Sequence, residues 1–555
     1  MSRLLIVSHD LIGERMTGVG IRYFEIACAL GNSHEVVLAA PAGSHLPARN
    51  ADRLKGSLRL YQPGHPHTLA DLIRQCDILF AYPDIIWQCR DMLRGDTPAV
   101  VVDGYDITLL EHLELDPTQS NQDEQLQWLI QHQAMTRYVI GRGDLFLAAT
   151  ERQRDWWLGA LATVGRINPL TYQADPTLRK LVDLLPYGLP DTPPRRTRQV
   201  LRGVVKGIGA DDKIVLWGGG IWEWLDPLTL IRAAAQIAPC RPDVKFVFPG
   251  VRHPAGDLVR AMPMQQQAIN LARELGVLDQ TVFMGDWASY DDWPNYLIES
   301  DVGVSLHRDH LEARLSARTR VMSYVWAGLP MVLSEGDELA TRMEQAGVAR
   351  LVRAGDVDSL VDALLAALAQ DKTSLDPKFN ELRAALQWPV VVQPLRQFCD
   401  RPSRAADFQS SNMSATQTAN HSESSMTGEQ STATTWTLPD LQFPAPTSWI
   451  GRLLKPLLDL LVLWYVRALM EQQNRINAAM LHMMNHLRVA SDDTRQHLFG
   501  LAEHVRALQA ASDDTRQQTA VLRASLERLD TQLADAESLQ TDVIAAVARR
   551  LNNLP

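Results

Sequence analysis

Between Asp301 and Asp337 the chain reads DVGVSLHRDHLEARLSARTRVMSYVWAGLPMVLSEGD, and its polar residues are of types that handle a charged ligand. His307, His310 and Glu312 share one loop, where two imidazoles and a carboxylate can hold hydroxyls or balance charge. Ser316, Arg318, Arg320 and Ser323 follow. A small hydroxyl at a helix start with two cations near it is a combination that meets an anion. Gly336 and Asp337 end the stretch. Two glycine loops stand upstream, Gly18-Val-Gly20 with Arg22, and Gly218-Gly219-Gly220. Each would let backbone N–H groups approach a phosphate or sugar closely. Asp103 and Asp106 occupy the tip of an apolar run, either beside a substrate or as helix caps. His307, Asp309 and His310 include metal-ligating types, but no further ligand cluster stands nearby, so no metal is expected.

Alternating strands and helices must position these groups. Val302–Leu306 reads as a buried strand of a parallel sheet. A helix over 317–327 is predicted, capped by Ser316 and stopped by Gly328-Leu-Pro330, with Met331–Leu333 as the next strand. Successive strand ends then face one edge of a sheet, where open α/β folds bind ligands. On that helix Arg320 lies about 200° round from Arg318, so the two cannot face a ligand equally. Arg318, in the first turn, is the preferred anion partner.

The same alternation runs from the start. Leu4–Val7, Glu35–Ala39, Asp77–Phe80, Ala99–Val102 and Asp144–Ala148 read as short apolar strands separated by helix-length segments. A helix from Thr150 opens with a capping box toward Gln153. After a Pro- and Arg-rich linker at 190–198 the pattern restarts. Ile214–Trp217 runs into the glycine loop, a helix extends to about Ala238, and Lys245–Phe248 and Val282–Met284 are further strands. Two successive halves of strand, glycine loop and helix predict two Rossmann-like domains, 1–190 and 191–400. Gly-x-Gly without a third glycine or a downstream acid excludes the usual dinucleotide site.

The bulk numbers narrow the class. At 555 residues and 46% apolar content the chain holds several domains with real cores. A net charge of −11 leaves no basic excess for phosphate backbones, so no nucleic-acid partner is expected. Five cysteines without close pairing or metal spacing read as reduced core thiols of a cytoplasmic protein. No apolar run approaches the roughly 20 residues of a membrane span, and the first strand is too short for a signal peptide.

The tail differs in kind. Residues 401–447, rich in Ser and Thr, read as a disordered linker. Residues 448–469 read as an amphipathic helix that would fit either the inner-membrane surface, as a peripheral contact, or a partner helix. Over 470–550 apolar residues keep 3–4 spacing, and Ala-Ser-Asp-Asp-Thr-Arg-Gln recurs at 490–496 and 511–517, three heptads apart. An α-helical coiled coil is expected there, joining copies of the chain or a polysaccharide-assembly partner.

Many ordered matches carry a family resemblance over about residues 1–400. They are Gly18-Val-Gly-Ile-Arg22, Glu151 to Gly159, Trp217-Gly-Gly-Gly-Ile-Trp-Glu-Trp-Leu-Asp-Pro-Leu228, Ser305 to Glu312, Arg318-Thr-Arg320 and Glu335-Gly-Asp337. Together they resemble a bacterial subgroup of family-4 glycosyltransferases. The resemblance implies an α/β GT-B fold, two Rossmann-like domains facing a cleft, with acceptor on the first and nucleotide sugar on the second. It implies retaining transfer to a growing surface polysaccharide of O-antigen or capsule type, onto a glycan or lipid-linked acceptor, without a metal or other cofactor. Glu312, His310 and Asp103 are the implied catalytic residues. Gly18, Gly20, Arg22, Gly218, Gly219, Gly220, Ser316, Arg318, Arg320, Ser323, Gly336 and Asp337 are the implied donor-binding set. Two departures stand out. Ser323 occupies the place of the family's second glutamate, and Glu223 to Asp226 replace its Arg…Lys pair. A catalytically inactive GT-B scaffold, or a sugar-nucleotide epimerase, remains open on those residues.

Overall fold

The computed structural model describes residues 1–408, except 47–50, 94, 96–97, 116–121 and 252–261. The linker beyond residue 408, the helix at 448–469 and the coiled coil at 470–550 lie outside the described residues. The first sheet contains β1 (Arg3–Val7), β2 (Glu35–Pro41), β3 (Ser57–Tyr61), β4 (Ile78–Ala81), β5 (Ala99–Asp103), β6 (Leu145–Ala148) and β7 (Val182–Leu184). All pairs are parallel, in the order β3-β2-β1-β4-β5-β6-β7. The second contains β8 (Lys213–Trp217), β9 (Val244–Pro249), β10 (Val282–Gly285), β11 (Val302–Ser305), β12 (Met331–Ser334) and β13 (Ala349–Val352). It too is wholly parallel, ordered β10-β9-β8-β11-β12-β13. Helices cover both faces, so strands such as Leu4–Val7 and Val302–Ser305 are buried throughout.

Strand order reverses between β1 and β4 in the first sheet and between β8 and β11 in the second. Each reversal leaves a crevice at the C-terminal strand ends, where α/β proteins bind ligands. The expected strands all form, with ends moved by one or two residues. The expectation omitted β3, β7 and β13. All three are edge strands whose patterns (SLRLY, burial iieeB; VDL, burial Bii; ARLV, burial ieiB) carry too few buried apolar residues to stand out.

The helix after β11 departs from expectation. A short helix, Leu311–Leu315, is capped by His310, whose Nδ1 accepts from the Ala313 N–H at 3.1 Å. Ser316 ends that helix, its hydroxyl donating to the Ala313 carbonyl at 2.9 Å. The next helix is Thr319–Ala327 with Arg318 at its cap position and no side-chain cap bond. Ser316 therefore does not cap it, because it stands two residues before the cap position, at the end of the preceding helix. Gly328 stops the helix as predicted, at φ +66°, the left-handed conformation that favours glycine.

Terminal helices Asp376–Leu386, Trp388–Val391 and Gln393–Asp400 return the chain to the first domain. The Trp388 ring packs on Gly188, where a Cβ would come within 2.4 Å. Residues 401–408, assigned to the linker on composition, are instead anchored. Arg404 reaches Asp144 at 2.8 Å, and Asp407 takes a buried bond from Arg166 at 2.7 Å.

Candidate active site

The two crevices meet in one cleft of about 470 Å³. From the first domain it is lined by Gly18, Arg22, Asp103 and Asp106, and from the second by Gly218, Gly219, Gly220, Arg318 and Arg320. A cavity of similar size, about 460 Å³, lies at β6 and the last helix, away from both crevices, and part of its wall is the Arg404–Asp144 pair.

The second-domain wall begins where β8 ends. Gly218 donates its N–H to the Tyr324 hydroxyl at 2.7 Å, and a Cβ there would strike that ring at 2.9 Å. Gly219 sits at φ +113°, so only glycine adopts this turn without strain. Gly220 offers its carbonyl to Arg320 Nη2 at 2.8 Å. Arg320 is buried, and its guanidinium lies 4.7 Å from the Trp217 ring centre. Among the described residues no carboxylate pairs with it, and Nη1 has no partner. Burial holds its pKa down to about 10, with Arg318 adding repulsion. An uncompensated buried cation on a glycine turn is built for an anion that arrives later.

Arg318 is placed otherwise. Its Nη2 donates to Glu312 Oε2 at 2.6 Å, and both side chains are nearly buried. Glu312 lines a separate niche of about 30 Å³ that it shares with Asp106, Glu111, Ser316 and Arg318. The preference for Arg318 as the anion partner is therefore reversed. The helix begins two residues later than assumed, which leaves Arg318 at its cap position, bonded to Glu312, and turns Arg320 to the glycine loop.

His310 is committed to backbone on both sides. With Nδ1 accepting from Ala313, Nε2 carries the hydrogen and donates to the Trp224 carbonyl at 3.2 Å. Burial lowers its pKa, consistent with a neutral ring. It holds the loop together and does not line the cleft. Asp103 accepts from Arg22 Nη2 at 2.9 Å and Nε at 3.2 Å, and the guanidinium sits 4.4 Å from the Tyr105 ring centre. Both line the cleft as a neutralised pair. Gly18 allows contact between domains, since a Cβ would lie 2.7 Å from Thr319 Oγ1. Gly20 packs beneath the Leu11 carbonyl, and Gly336 offers its carbonyl to Arg152, so neither reaches the cleft. Asp337 caps the helix Glu338–Gln345 through the Ala340 N–H. Ser323 accepts from Trp293 Nε1 at 3.2 Å and lines a smaller cavity of about 80 Å³ that shares Gly218, Gly219, Thr319 and Arg320 with the cleft.

The acids that replace the family's cations do not confront the cleft. Glu223 turns its carboxylate to the Met264 N–H at 2.8 Å, and Asp226 caps the helix Pro227–Ile237. Residues absent from the expected set do line it: His9, Tyr23, Tyr82 and Glu111 in the first domain, and Trp222 and Trp224 in the second. The two indole rings are parallel, 5.6 Å apart. His9 and Tyr82 follow β1 and β4, so the strand-order reversal alone could have pointed to them. Among the described residues no group of three or more His, Cys, Asp or Glu side chains is placed to hold a metal, and no helix is long and apolar enough to cross a membrane.

Comparison with known proteins gives a fold likeness only. No family model matches the chain, and no curated relative does. Among solved structures, the chain is similar to Anabaena HepE in complex with UDP and glucose, at 12% identity and TM-score 0.51, over 72% of this chain and 100% of that one. It is also similar to an E. coli structure described as trehalose-6-phosphate bound with UDP-2-fluoro glucose, at 13% identity and TM-score 0.50, over 73% and 100%. A trehalose-6-phosphate synthase, OtsA, matches at 14% identity and TM-score 0.50, over 73% and 100%. The likeness and the two parallel sheets define a GT-B architecture, two Rossmann-like domains facing a cleft.

Proposed function

We propose that the chain is a glycosyltransferase that moves a sugar from a nucleotide-sugar donor to a carbohydrate acceptor in this cleft. The observation that carries the reading is Arg320, a buried cation without a carboxylate partner, set against the Gly218–Gly220 turn at the second sheet's strand-order reversal. A diphosphate leaving group gains negative charge as the glycosidic bond breaks, so a preorganised cation and turn amides there stabilise the transition state. The named ligands of the fold neighbours, UDP with glucose and UDP-2-fluoro glucose, support the same donor class.

The finer reading is a retaining, family-4-like enzyme acting on surface polysaccharide, with no metal, because Arg320 and the turn take over the diphosphate's charge. Its 470–550 segment would join copies or assembly partners, and its 448–469 segment would reach the inner-membrane surface. One observation favours the inactive-scaffold alternative: Glu312, the implied catalytic acid, is held by Arg318 outside the main cleft. Thermal shift against UDP, ADP, GDP and dTDP tests the reading. Stabilisation by one nucleotide is expected in the wild type and is lost with Arg320→Met; a wild type indifferent to all four contradicts it.

A further inference from the structure

The first-domain side of the cleft contains polar groups that the donor reading leaves unused. At its crevice His9 Nδ1 is buried without a hydrogen-bond partner, and the fully buried Tyr23 hydroxyl has no well-formed one, only Asp103 close enough to help hold its pKa up. Native proteins leave few such atoms unsatisfied, and those that persist await a ligand or water. Asp106 and Glu111 line the same cleft, and among the described residues neither carboxylate makes a hydrogen bond. The parallel faces of Trp222 and Trp224 complete the lining. Orphaned donors and acceptors beside flat apolar faces match a pyranose, whose hydroxyls ring its edge and whose C–H groups cover its face.

The charges narrow the class. Burial lowers the His9 pKa, so its ring is neutral near pH 7. Arg22 is cancelled by Asp103, and Arg318 by Glu312. The first-domain lining thus offers hydrogen-bonding groups and carboxylates but no unpaired cation among the described residues. A phosphorylated sugar or a uronic acid would find no counter-charge here, and would meet Asp106, raised to about 7 by burial, and Glu111, also raised by burial, which repel it once ionised.

Resting on the glycosyltransferase reading, we infer that the first-domain side of the cleft, together with Trp222 and Trp224 of the second domain, binds the acceptor as an uncharged sugar ring, seated on the indoles and hydrogen-bonded by His9, Tyr23, Asp106 and Glu111, and that it excludes anionic sugars.

Tryptophan fluorescence titration of the full chain tests this. The uncharged probes are methyl α-glucopyranoside, methyl α-mannopyranoside and N-acetylglucosamine, against glucose 6-phosphate and glucuronate, each with and without UDP. At least one uncharged probe should saturate and bind about tenfold or more tighter than glucose 6-phosphate. Trp224→Ala should weaken it about tenfold while Trp224→Phe keeps most of the affinity. Discrimination against glucose 6-phosphate should sharpen as pH rises through about 7, and Asp106→Asn with Glu111→Gln should flatten that rise, a change that a purely structural role for these acids would not produce. Should Trp224→Ala fail to fold, the phenylalanine and amide variants carry the test. Failure of every uncharged probe, equal or tighter binding of glucose 6-phosphate, or a pH dependence of that discrimination left unchanged in the amide variant overturns the inference. Sugar binding without any nucleotide binding would refute glycosyl transfer and support this inference; nucleotide binding without sugar binding would refute this inference alone.

Discussion

Replacing Arg320 with methionine separates a functional cation from a structural one by the sign of its effect. Burial brings the guanidinium pKa well down from its ordinary value, to about 10. At about 1.4 kcal/mol per pH unit, holding the charge there costs the free protein on the order of 3 kcal/mol. The sign follows: a base with depressed folded pKa weakens the fold at every pH below about 10, and that penalty lifts only as pH rises through 10. Methionine removes the penalty. It also removes the bond to Gly220, worth about 1 kcal/mol, and the contact with Trp217, worth about 1 kcal/mol. The net is a gain of roughly 1 kcal/mol. For a folded unit of roughly 400 residues, at about 2.1 cal/mol/K each, that is about 1 °C in Tm. A bound nucleotide would lose one charge-assisted bond, about 1.5–3 kcal/mol, or some ten- to hundredfold in affinity. Differential scanning fluorimetry reads both effects at once. Wild type at about 100 times Kd should gain about 2.7 kcal/mol, near 3 °C on the same scale. Arg320→Met should match the wild type or exceed it when free, and respond little to nucleotide. A free variant that melts several degrees lower, or one that keeps the full nucleotide shift, would refute the assignment of Arg320 as an anion-binding cation.

Three other outcomes follow from the same geometry. Glu312→Gln leaves buried Arg318 without its carboxylate, a loss of up to about 3–5 kcal/mol, so Tm should fall by several degrees in the same assay. Asp106, pushed up to about 7 by burial and by Asp103, has a folded pKa above its unfolded value of 3.8. The fold therefore loses stability as pH rises from about 4 through 7, and Asp106→Asn should flatten that stretch of the Tm profile; an unchanged slope would contradict it. Ending the chain at residue 400 deletes the bonds of Arg404 and Asp407, so urea unfolding should show a lower midpoint than a chain ending at 423; coincident midpoints would mean residues 401–408 contribute nothing.

The architecture was legible in the chain because buried parallel strands are runs of apolar residues. Val302–Ser305 and Ala99–Asp103 announce themselves, whereas the half-exposed edges at Ser57–Tyr61 and Ala349–Val352 do not. The glycine loop at 218–220 and the stop at Gly328 were readable for the same local reason, backbone freedom. The phase of a short helix was not. Ser316 and His310 both have cap chemistry, and which hydroxyl or imidazole takes which N–H depends on packing that no window of sequence contains. A difference of two residues in the helix start decides which of Arg318 and Arg320 meets Glu312 and which meets the glycine loop. Likewise, Gly20, Gly336 and Asp337 have residue types suited to a ligand but are occupied by a neighbouring carbonyl, an interdomain bond and a helix cap. Glu111, His9 and Tyr23 gave no motif. They become visible only when the strand order brings distant loops to one edge.

The most direct test of glycosyl transfer is the release of nucleoside diphosphate by the purified full chain, measured with a panel of nucleotide sugars, with and without glycan or lipid-linked acceptors. The account predicts release from one donor that depends on acceptor, survives EDTA, yields a product with the donor's anomeric configuration, and collapses in Arg320→Met. No release from any donor, conversion of donor without acceptor, or release that persists unchanged in Arg320→Met would contradict it.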